Sequence, residues 1–294
     1  MDQQNMEQYW NYLRSMGLSE EAIEMYKKQI DATSNWAGQL NQFPQNMQQF
    51  NQLFTGDDAD AEDNDQPTEL RLNDNTQLTK EQQWAVACGA DVAFTNEQFL
   101  NDLTTGLGKQ TCRQLLSEWW DIDSTEELEE MIAWLKESGH RMEYDLIWQA
   151  LNTVSVKESK AFLREHVIAN KLEEQTVMEH MRNTRDALEL FREKALIDPV
   201  AQPEMLIWDY ARIINLSRGG FDAGYFTAEQ ALKHIMECVP AIKRVYISWK
   251  HLSISYQFAR CVWNGVDEDE FEVFRKNMDL LLTDPRSPWV SLPW

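Results

Sequence analysis

The most informative stretch of the chain is WDYARIINLSRGGFDAGYFTAE, residues 208–229. Its apolar residues recur at helical spacing, and a helix advances about 100° per residue. Asp209 and Arg212 therefore fall on one face, where an i,i+3 ion pair between them is expected. Arg218 points to the opposite side, free to meet a different group. The stretch predicts a helix that carries charged residues on two faces.

A glycine-rich turn follows this helix. The Gly219–Gly220 pair is expected to end it, and Gly224 permits a positive φ in the turn before the next helix. Tyr225 is expected to anchor that turn by burying aromatic surface, which makes it a binding candidate as well. Trp208, Gly220 and Gly224 are interpreted as structural residues.

Helix signals extend in both directions from this stretch. Three apolar runs follow capping-box pairs, namely Thr79 with Gln82, Ser124 with Glu127, and Thr227 with Gln230, and the last run is expected to end at Pro240. A 4-3-4-3-4 spacing from Val177 to Ala195 predicts an amphipathic helix. The composition has few glycines and prolines for a chain of this length, which argues against an all-β protein. The sequence predicts an all-α fold with a single multi-helix domain over residues 70–294, whose Pro-rich tail wraps back onto it.

Two segments precede this domain. Residues 1–54 are rich in Gln and Asn and show short amphipathic patterns, which predict a helical N-terminal segment. Residues 55–69, TGDDADAEDNDQPTE, carry acids and no base, so they predict an acidic, solvated linker.

Charge and composition exclude several functions. Asp and Glu total 49 against 27 Lys and Arg, a formal charge of −22, which opposes binding to nucleic acid or to an anionic membrane surface. The four cysteines form no CxxC pair, and reduced core thiols are expected. None of the five histidines forms an HExxH motif, so neither a metal nor a cofactor is predicted. With no secretory signal or membrane span in view, a cytoplasmic protein is expected.

Two further clusters carry candidate chemistry. Tyr256, Arg260 and Trp263 share one helix face, where Arg260 between two aromatic rings gains cation–π energy and can bind an anion. Gly139 ends a helix before His140 and Arg141, which bond terminal carbonyls or act as an acid/base pair in a cleft. Trp249, which follows Ser248, is a further binding candidate.

Several short motifs occur along the chain in a recognisable combination. They are GHR (139–141), WDxxR (208–212), NLxRxG (215–220), AGYF (223–226), SW (248–249), SYxxxRxxW (255–263), the final SPW and PW, and LTKEQQWAVACGA near Thr79. Together these motifs resemble a bacterial family of unknown function, DUF1266. The resemblance covers about residues 70–294 and implies a cytoplasmic, largely helical domain with no established activity. It marks the Trp208–Tyr225 and Tyr256–Trp263 motifs as hallmarks of that family.

Three functional hypotheses remain. The first is a non-catalytic module whose acidic surface binds a basic protein partner, in the manner of an immunity protein, an antitoxin or an adaptor. The second is an enzyme acting on an anionic small molecule, with Arg212, Arg218 and Arg260 in one cleft and His140 or Asp209 as the proton-transfer group. The third treats the motif residues as determinants of the fold, with Trp208, Trp249 and Trp263 packing a core around a polar network. The sequence leaves the oligomeric state open.

Overall fold

A computed structural model describes residues 69–153, 155–170 and 172–294. These residues form helices and loops without a strand, which confirms the predicted all-α class. The helices are α1 (Lys80–Ala87), α2 (Ala90–Thr95), α3 (Lys109–Trp120), α4 (Thr125–Glu137), α5 (Arg141–Leu151), α6 (Val156–Ala169), α7 (Glu174–Glu193), α8 (Leu206–Ala223), α9 (Ala228–Val245), α10 (Trp249–Asn264), α11 (Glu268–Thr283) and α12 (Pro288–Ser291). The expected N-terminal helical segment and nearly all of the linker lie outside the described residues.

Local capping explains where several helices begin. Thr79 and Gln82 form the predicted capping box at α1, and Thr227 and Gln230 form the one at α9. At α4 the Ser124 hydroxyl accepts a hydrogen bond from the Glu127 N–H, as predicted. The Glu127 carboxylate, however, accepts from the N–H of Asp123 instead of Ser124. Ser124 is therefore confirmed as the N-cap of α4. The return hydrogen bond of the predicted capping box is made to the N–H of the preceding residue, Asp123.

Helix α8 occupies the centre of the described fold. It packs against α2, α3, α4, α9 and α10, and thirteen of its eighteen residues are buried. A second, smaller core joins α5, α6 and α7 through residues that include Ile147, Leu163 and Met181. Because α8 is apolar on most sides, its few charged residues must be satisfied by the helices and loops around it.

The predicted end of this helix was wrong. Helix α8 continues through Gly219 and Gly220 to Ala223, and Gly224 adopts the left-handed conformation at its end, with φ of 80°. Gly220 serves close packing: a Cβ placed there would lie 2.3 Å from the Leu128 side chain of α4. The glycine is required by a neighbouring helix, a constraint invisible in the local sequence.

Two other helix limits also differ from prediction. Ala195 was expected on the apolar stripe of α7, but the helix ends at Glu193 and Ala195 is exposed with φ of 52°. Pro240 was expected to end α9, yet the helix continues to Val245. In both places the periodic pattern identified the helix correctly and its end incorrectly.

The C-terminal tail folds back onto the domain, as the sequence predicts. Trp289 stacks on Trp249 at a centroid distance of 5.7 Å, and its indole N–H donates to the Ala87 carbonyl at 2.7 Å. Trp294 contacts both Trp249 and Trp84. These four tryptophans bury a large apolar area and join α12 to α1 and α10. No helix in the described ranges is both long and apolar enough to cross a membrane.

The close packing of α8 on α4 is tested by a matched pair of glycine variants. Gly220→Ala is expected to lower the free energy of unfolding by about 1–3 kcal/mol, because its methyl group collides with Leu128. Gly219→Ala meets only one side-chain atom, at 3.9 Å, so its higher helix propensity is expected to stabilise by up to about 1 kcal/mol. Urea unfolding of both variants measures the difference; equal stabilities would contradict the close contact.

Candidate functional site

The carboxylate of Asp209 is the centre of the candidate site. It is fully buried on α8 and accepts a hydrogen bond from His140 Nδ1 at 2.8 Å and from Arg141 Nη1 at 2.7 Å. The backbone N–H groups of His140 and Arg141 also donate to it, at 2.9 and 3.3 Å. Asp209 therefore supplies an anionic cap to the N-terminus of α5, which has no side-chain cap of its own.

Arg141 binds the free carbonyl groups at the C-terminal end of α4, on the other side of the same turn. Its Nη1 and Nη2 donate to the carbonyls of Leu135 and Lys136 at 2.7 and 2.6 Å. These carbonyls lie in the last turn of α4, where no intrahelical donor remains. The Asp209–Arg141 pair thus closes both ends of the α4–α5 turn, and it fulfils the prediction that a residue after Gly139 bonds terminal carbonyls.

Gly139 allows this arrangement. Its φ is 57°, and a Cβ at this position would lie 2.3 Å from Asp209 Oδ2. The glycine therefore provides a left-handed turn and leaves the space that the carboxylate occupies.

The protonation states follow from burial and from the contacts. Burial alone would raise the pKa of Asp209, but the hydrogen bond from His140 and the positive charge of Arg141 outweigh it and lower that pKa. Burial also lowers the pKa of His140, against the opposing effect of Asp209. At neutral pH we therefore assign an ionised Asp209 and a neutral His140 whose Nδ1 carries the proton.

A second imidazole–carboxylate pair also contacts the Trp263 ring. His180 Nδ1 bonds Glu143 Oε1 at 2.6 Å, and its ring lies 4.9 Å from the Trp263 ring. The His140 ring contacts the same indole at 5.4 Å. Sequence reasoning missed both His180 and Glu143, which are 37 positions apart. Only the packing of α5 against α7 brings them together.

The remaining candidates of this region lie near Trp208. The Arg212 guanidinium lies 3.5 Å from the Trp208 ring centroid, and its Nη1 donates to the Trp208 carbonyl. The predicted Asp209–Arg212 ion pair is wrong, because Asp209 is directed toward His140 and Arg141. Burial lowers the pKa of Arg212.

Arg260 also differs from prediction. It lies over the Phe274 ring at 4.8 Å instead of between Tyr256 and Trp263. Tyr256 contacts Trp208 and Phe274, while Trp263 contacts Trp208 at 5.7 Å. The predicted aromatic pair around Arg260 is therefore replaced by a single ring from α11.

Arg218 belongs to a separate network. It is fully buried and donates to the carbonyls of Asp102, Phe99 and Thr104, and to the Gln98 side chain. Burial lowers its pKa to about 10, so it stays charged at neutral pH. Arg218 therefore fixes the loop before α3. Because its guanidinium is occupied by these bonds, Arg218 does not join Arg212 and Arg260 in the shared cleft that the enzyme hypothesis requires.

Two more candidates lie outside the Asp209 site. Tyr225 packs under the Arg113 guanidinium at 5.4 Å, and its carbonyl accepts from Thr125. Trp249 lies in the tryptophan cluster of the C-terminal tail, where its indole N–H donates to the Leu292 carbonyl at 2.9 Å. Of the three tryptophans proposed to surround a polar network, Trp208 and Trp263 do so.

One buried carboxyl has no visible partner. Both oxygens of Asp91 in α2 are buried without a hydrogen bond from any described residue. Burial raises its pKa well above the usual range, so the group is neutral at mildly acidic pH. Its environment is thus opposite to that of Asp209.

The four cysteines lie in the core of the described fold. Cys88, Cys112, Cys238 and Cys261 are free and buried, so their predicted place in the core is confirmed. Burial raises the pKa of Cys238 and of Cys261 to about 12, so neither is a thiolate at neutral pH. Within the described ranges, no three His, Cys, Asp or Glu side chains are placed to hold a metal ion.

Comparison with known proteins identifies the family. Residues 115–294 match the model of DUF1266, described as a protein of unknown function. The chain belongs to the DUF1266 family. No curated protein and no solved structure matches it.

The matched region contains the whole Asp209 site. Residues 139–141, Asp209 and Trp263 all lie inside the DUF1266 match, whereas α1, α2 and the loop bound by Arg218 precede it. The match thus begins later than the residue-70 start that the resemblance suggested. In this DUF1266 protein, the α4–α5 turn and its cap belong to the matched part of the chain.

Asp209→Asn tests the capping role in this DUF1266 protein. We expect the free energy of unfolding to fall by about 3–5 kcal/mol at neutral pH, because the Arg141 charge loses its buried partner. The folded-state pKa of Asp209 is lowered, so its contribution is present above the unfolded-state pKa and is lost as pH falls through the folded-state pKa. Urea unfolding from about pH 7 down to about pH 2 should show the difference persisting at about pH 4 and shrinking only in stronger acid, as the pH falls through the lowered folded-state pKa.

Asp91→Asn is the matched control with the opposite sign. Because the folded-state pKa of Asp91 is raised, its contribution is full below the unfolded-state pKa and is lost as pH rises through the folded-state pKa. Asparagine does not ionise, so the variant is expected to match the parent protein in acid and to equal or exceed its stability at about pH 8. A large loss at about pH 8 would contradict a buried, unpaired carboxyl.

Proposed function

We propose that this protein is a non-catalytic binding module whose acidic surface holds a basic protein partner. The observation that supports it best is an exposed acidic rim that follows the α3–α4 turn onto α4, made of Asp121, Asp123, Glu126 and Glu130. Within the described residues, these four side chains form no ion pair. Their charge is therefore available to a partner.

The buried position of the family motifs supports the same proposal. His140 and Asp209 have side-chain exposures of 9% and 0%, and their bonds hold together two helix ends. Arg218 is likewise used to fix a loop. A group committed to internal hydrogen bonds contributes to folding more readily than to proton transfer with a substrate.

Electrostatics gives this proposal a kinetic signature. A formal charge of −22 attracts a basic protein over a Debye length, which is about 10 Å at 0.1 M salt. Complementary charge raises the association rate more than it raises affinity, and salt suppresses that rate. We further propose a bacterial, cytoplasmic setting, supported by the family resemblance and by four free, buried thiols.

The experiment uses the tagged full-length chain to retrieve partners from its native organism at about 50 mM and about 500 mM salt. We expect a basic protein that is retained at low salt and reduced at high salt. Replacing Asp121, Asp123, Glu126 and Glu130 by their amides is expected to slow its association about tenfold in a surface-binding assay.

A second variant distinguishes the effect of the rim residues from the effect of a lower net charge. It carries the same number of amide replacements at Glu268, Asp269, Glu270 and Asp279, which are exposed on α11. Association with the partner should slow much less in this variant. Recovery of no partner at either salt concentration would argue against the module, and equal slowing by both variants would remove the rim from the proposal.

A second candidate function is an enzyme acting on an anionic small molecule. One observation favours it: two imidazoles, each bonded through Nδ1 to a carboxylate, face the same Trp263 ring. A carboxylate partner fixes the tautomer and leaves Nε2 as the basic atom, as in general-base catalysis. Arg141, which is one-fifth exposed, supplies a positive charge nearby.

His180→Gln distinguishes this candidate from a structural role. The amide can keep a hydrogen bond to Glu143, so stability is expected to change by less than about 1.5 kcal/mol. The parent protein is first screened for turnover of phosphate and carboxylate esters. The variant is then assayed with any ester that the parent protein hydrolyses. Turnover that falls at least about a hundredfold in the variant supports catalysis; absence of turnover in the parent protein supports the binding module.

A further inference from the structure

Tyr256 contacts two aromatic rings that each carry an arginine. Between ring centroids, this tyrosine of α10 lies 5.3 Å from Trp208 of α8 and 6.1 Å from Phe274 of α11. The Arg212 guanidinium lies 3.5 Å from the centroid of the Trp208 ring, and the Arg260 guanidinium lies 4.8 Å from the centroid of the Phe274 ring. The packing of three helices thus brings two positive charges beside one phenol.

The two guanidinium groups act on Tyr256 and on each other. Burial raises the pKa of Tyr256, and the positive charges of Arg212 and Arg260 oppose that rise. Burial also lowers the pKa of Arg212, and the like charge of Arg260 lowers it further. Two like charges held near each other repel, so an anion that meets both is attracted twice and relieves the repulsion.

Arg260 and Tyr256 have donor groups that the described fold does not use. Arg260 is partly buried, and it forms neither a hydrogen bond nor an ion pair with a described residue. Tyr256 is only 5% exposed, and its hydroxyl has no hydrogen bond in the described part of the chain. The unpartnered hydroxyl of Tyr144 is fully enclosed, whereas that of Tyr256 is not. Buried phenols normally find a hydrogen-bond partner, so these donors indicate a ligand with acceptor oxygens.

Two buried carboxyl groups act on this cluster, and neither provides the acceptor that Arg260 and Tyr256 lack. The charge of Asp209 acts on Arg212, but its oxygens accept hydrogen bonds from the α4–α5 turn. Asp91 acts on Tyr256, but neither of its oxygens is hydrogen-bonded to it or to another described residue. Burial also raises the pKa of Asp91 well above the usual range, which opposes its negative form.

The number and kind of these groups favour a phosphate group over a carboxylate. Two guanidinium groups match the charge of about −1.5 to −2 that a phosphate monoester carries at neutral pH. A guanidinium binds two phosphate oxygens at once, and a phenol O–H adds a donor for a third. A carboxylate has one charge and two oxygens, which are too few for three groups. The formal charge of −22 repels anions from the chain as a whole, so binding has to come from these local groups.

We propose that Arg212, Tyr256 and Arg260 form a binding site for a phosphate group, either free or carried by a small molecule. The Arg260 guanidinium and the Tyr256 hydroxyl donate to phosphate oxygens, and Arg212 supplies the second positive charge from α8. The site joins the WDxxR and SYxxxRxxW motifs in one task. This inference goes beyond the proposed binding of a basic partner, and it requires no catalytic step.

Isothermal titration calorimetry of the full-length chain with inorganic phosphate, methyl phosphate and acetate tests the site. A pH of about 7.5 keeps the phosphate groups mostly doubly charged. We expect the better phosphate ligand to bind at least about tenfold more tightly than acetate, because acetate offers one charge and two oxygens. Equal or tighter binding of methyl phosphate would assign the site to a phosphorylated molecule, and weaker binding would assign it to free phosphate.

Variants connect the binding to the named groups. Arg260→Gln removes the charge and is expected to weaken phosphate binding at least about tenfold, whereas Arg260→Lys keeps the charge without the planar fork and is expected to lose less. Tyr256→Phe keeps the aromatic ring and removes only the hydroxyl, so a loss of about fivefold is expected.

Arg182→Gln is the matched control for net charge. It removes one positive charge from an exposed position on α7, and the affinity for phosphate is expected to stay unchanged. Circular dichroism and urea unfolding show whether each variant is folded, so that a loss of binding is compared only among folded proteins.

Four outcomes would overturn the phosphate site. The parent protein would fail to bind either phosphate ligand at millimolar concentration, or it would bind acetate as tightly. Folded Arg260→Gln and Tyr256→Phe variants would retain full affinity, which would place the anion elsewhere. Arg182→Gln would weaken binding as much as Arg260→Gln, which would reduce the effect to net charge. None of these outcomes affects the acidic-rim proposal, because the rim residues take no part in the titration.

Discussion

The fold of this protein depends on the compensation of one buried carboxylate. An ionised Asp209 cannot remain in an apolar interior without donors, and the structure gives it four, two from side chains and two from the backbone. Those donors come from the turn between α4 and α5. The bonds that stabilise the charge therefore also fix the angle between two helices and their position on α8.

The same need to pair buried polar groups applies to the whole of α8, at the centre of the domain. Helix α8 is buried on nearly every side, and its polar groups either bond a neighbouring element or, like Arg212 and Ser217, donate to carbonyls of α8 itself. Arg218 holds the loop before α3, and Gly220 lets α4 approach closely. Most of the buried surface of this core is apolar. The few buried polar groups nevertheless fix how the helices are arranged, because such groups tolerate few alternative positions.

The burial of these polar groups affects how function is assigned. Most residues that mark the DUF1266 resemblance lie in the interior, and their hydrogen bonds within the fold explain their presence without any substrate. The surface is then the more informative place, above all the acidic rim formed by Asp121, Asp123, Glu126 and Glu130. The imidazole pairs around Trp263 are the exception, since a carboxylate bonded to Nδ1 is an arrangement that general-base catalysis also uses.

The sequence alone determined what depends on neighbours within a few positions. Capping boxes at Thr79 and Thr227 and the stripe of α7 were predictable, because a helix end or face is set by residues three or four apart. Tertiary structure decided the partners of Asp209, the reason for Gly220 and the pairing of His180 with Glu143. In each case the deciding contact joins residues tens of positions apart, so its energy exists only after the helices have packed.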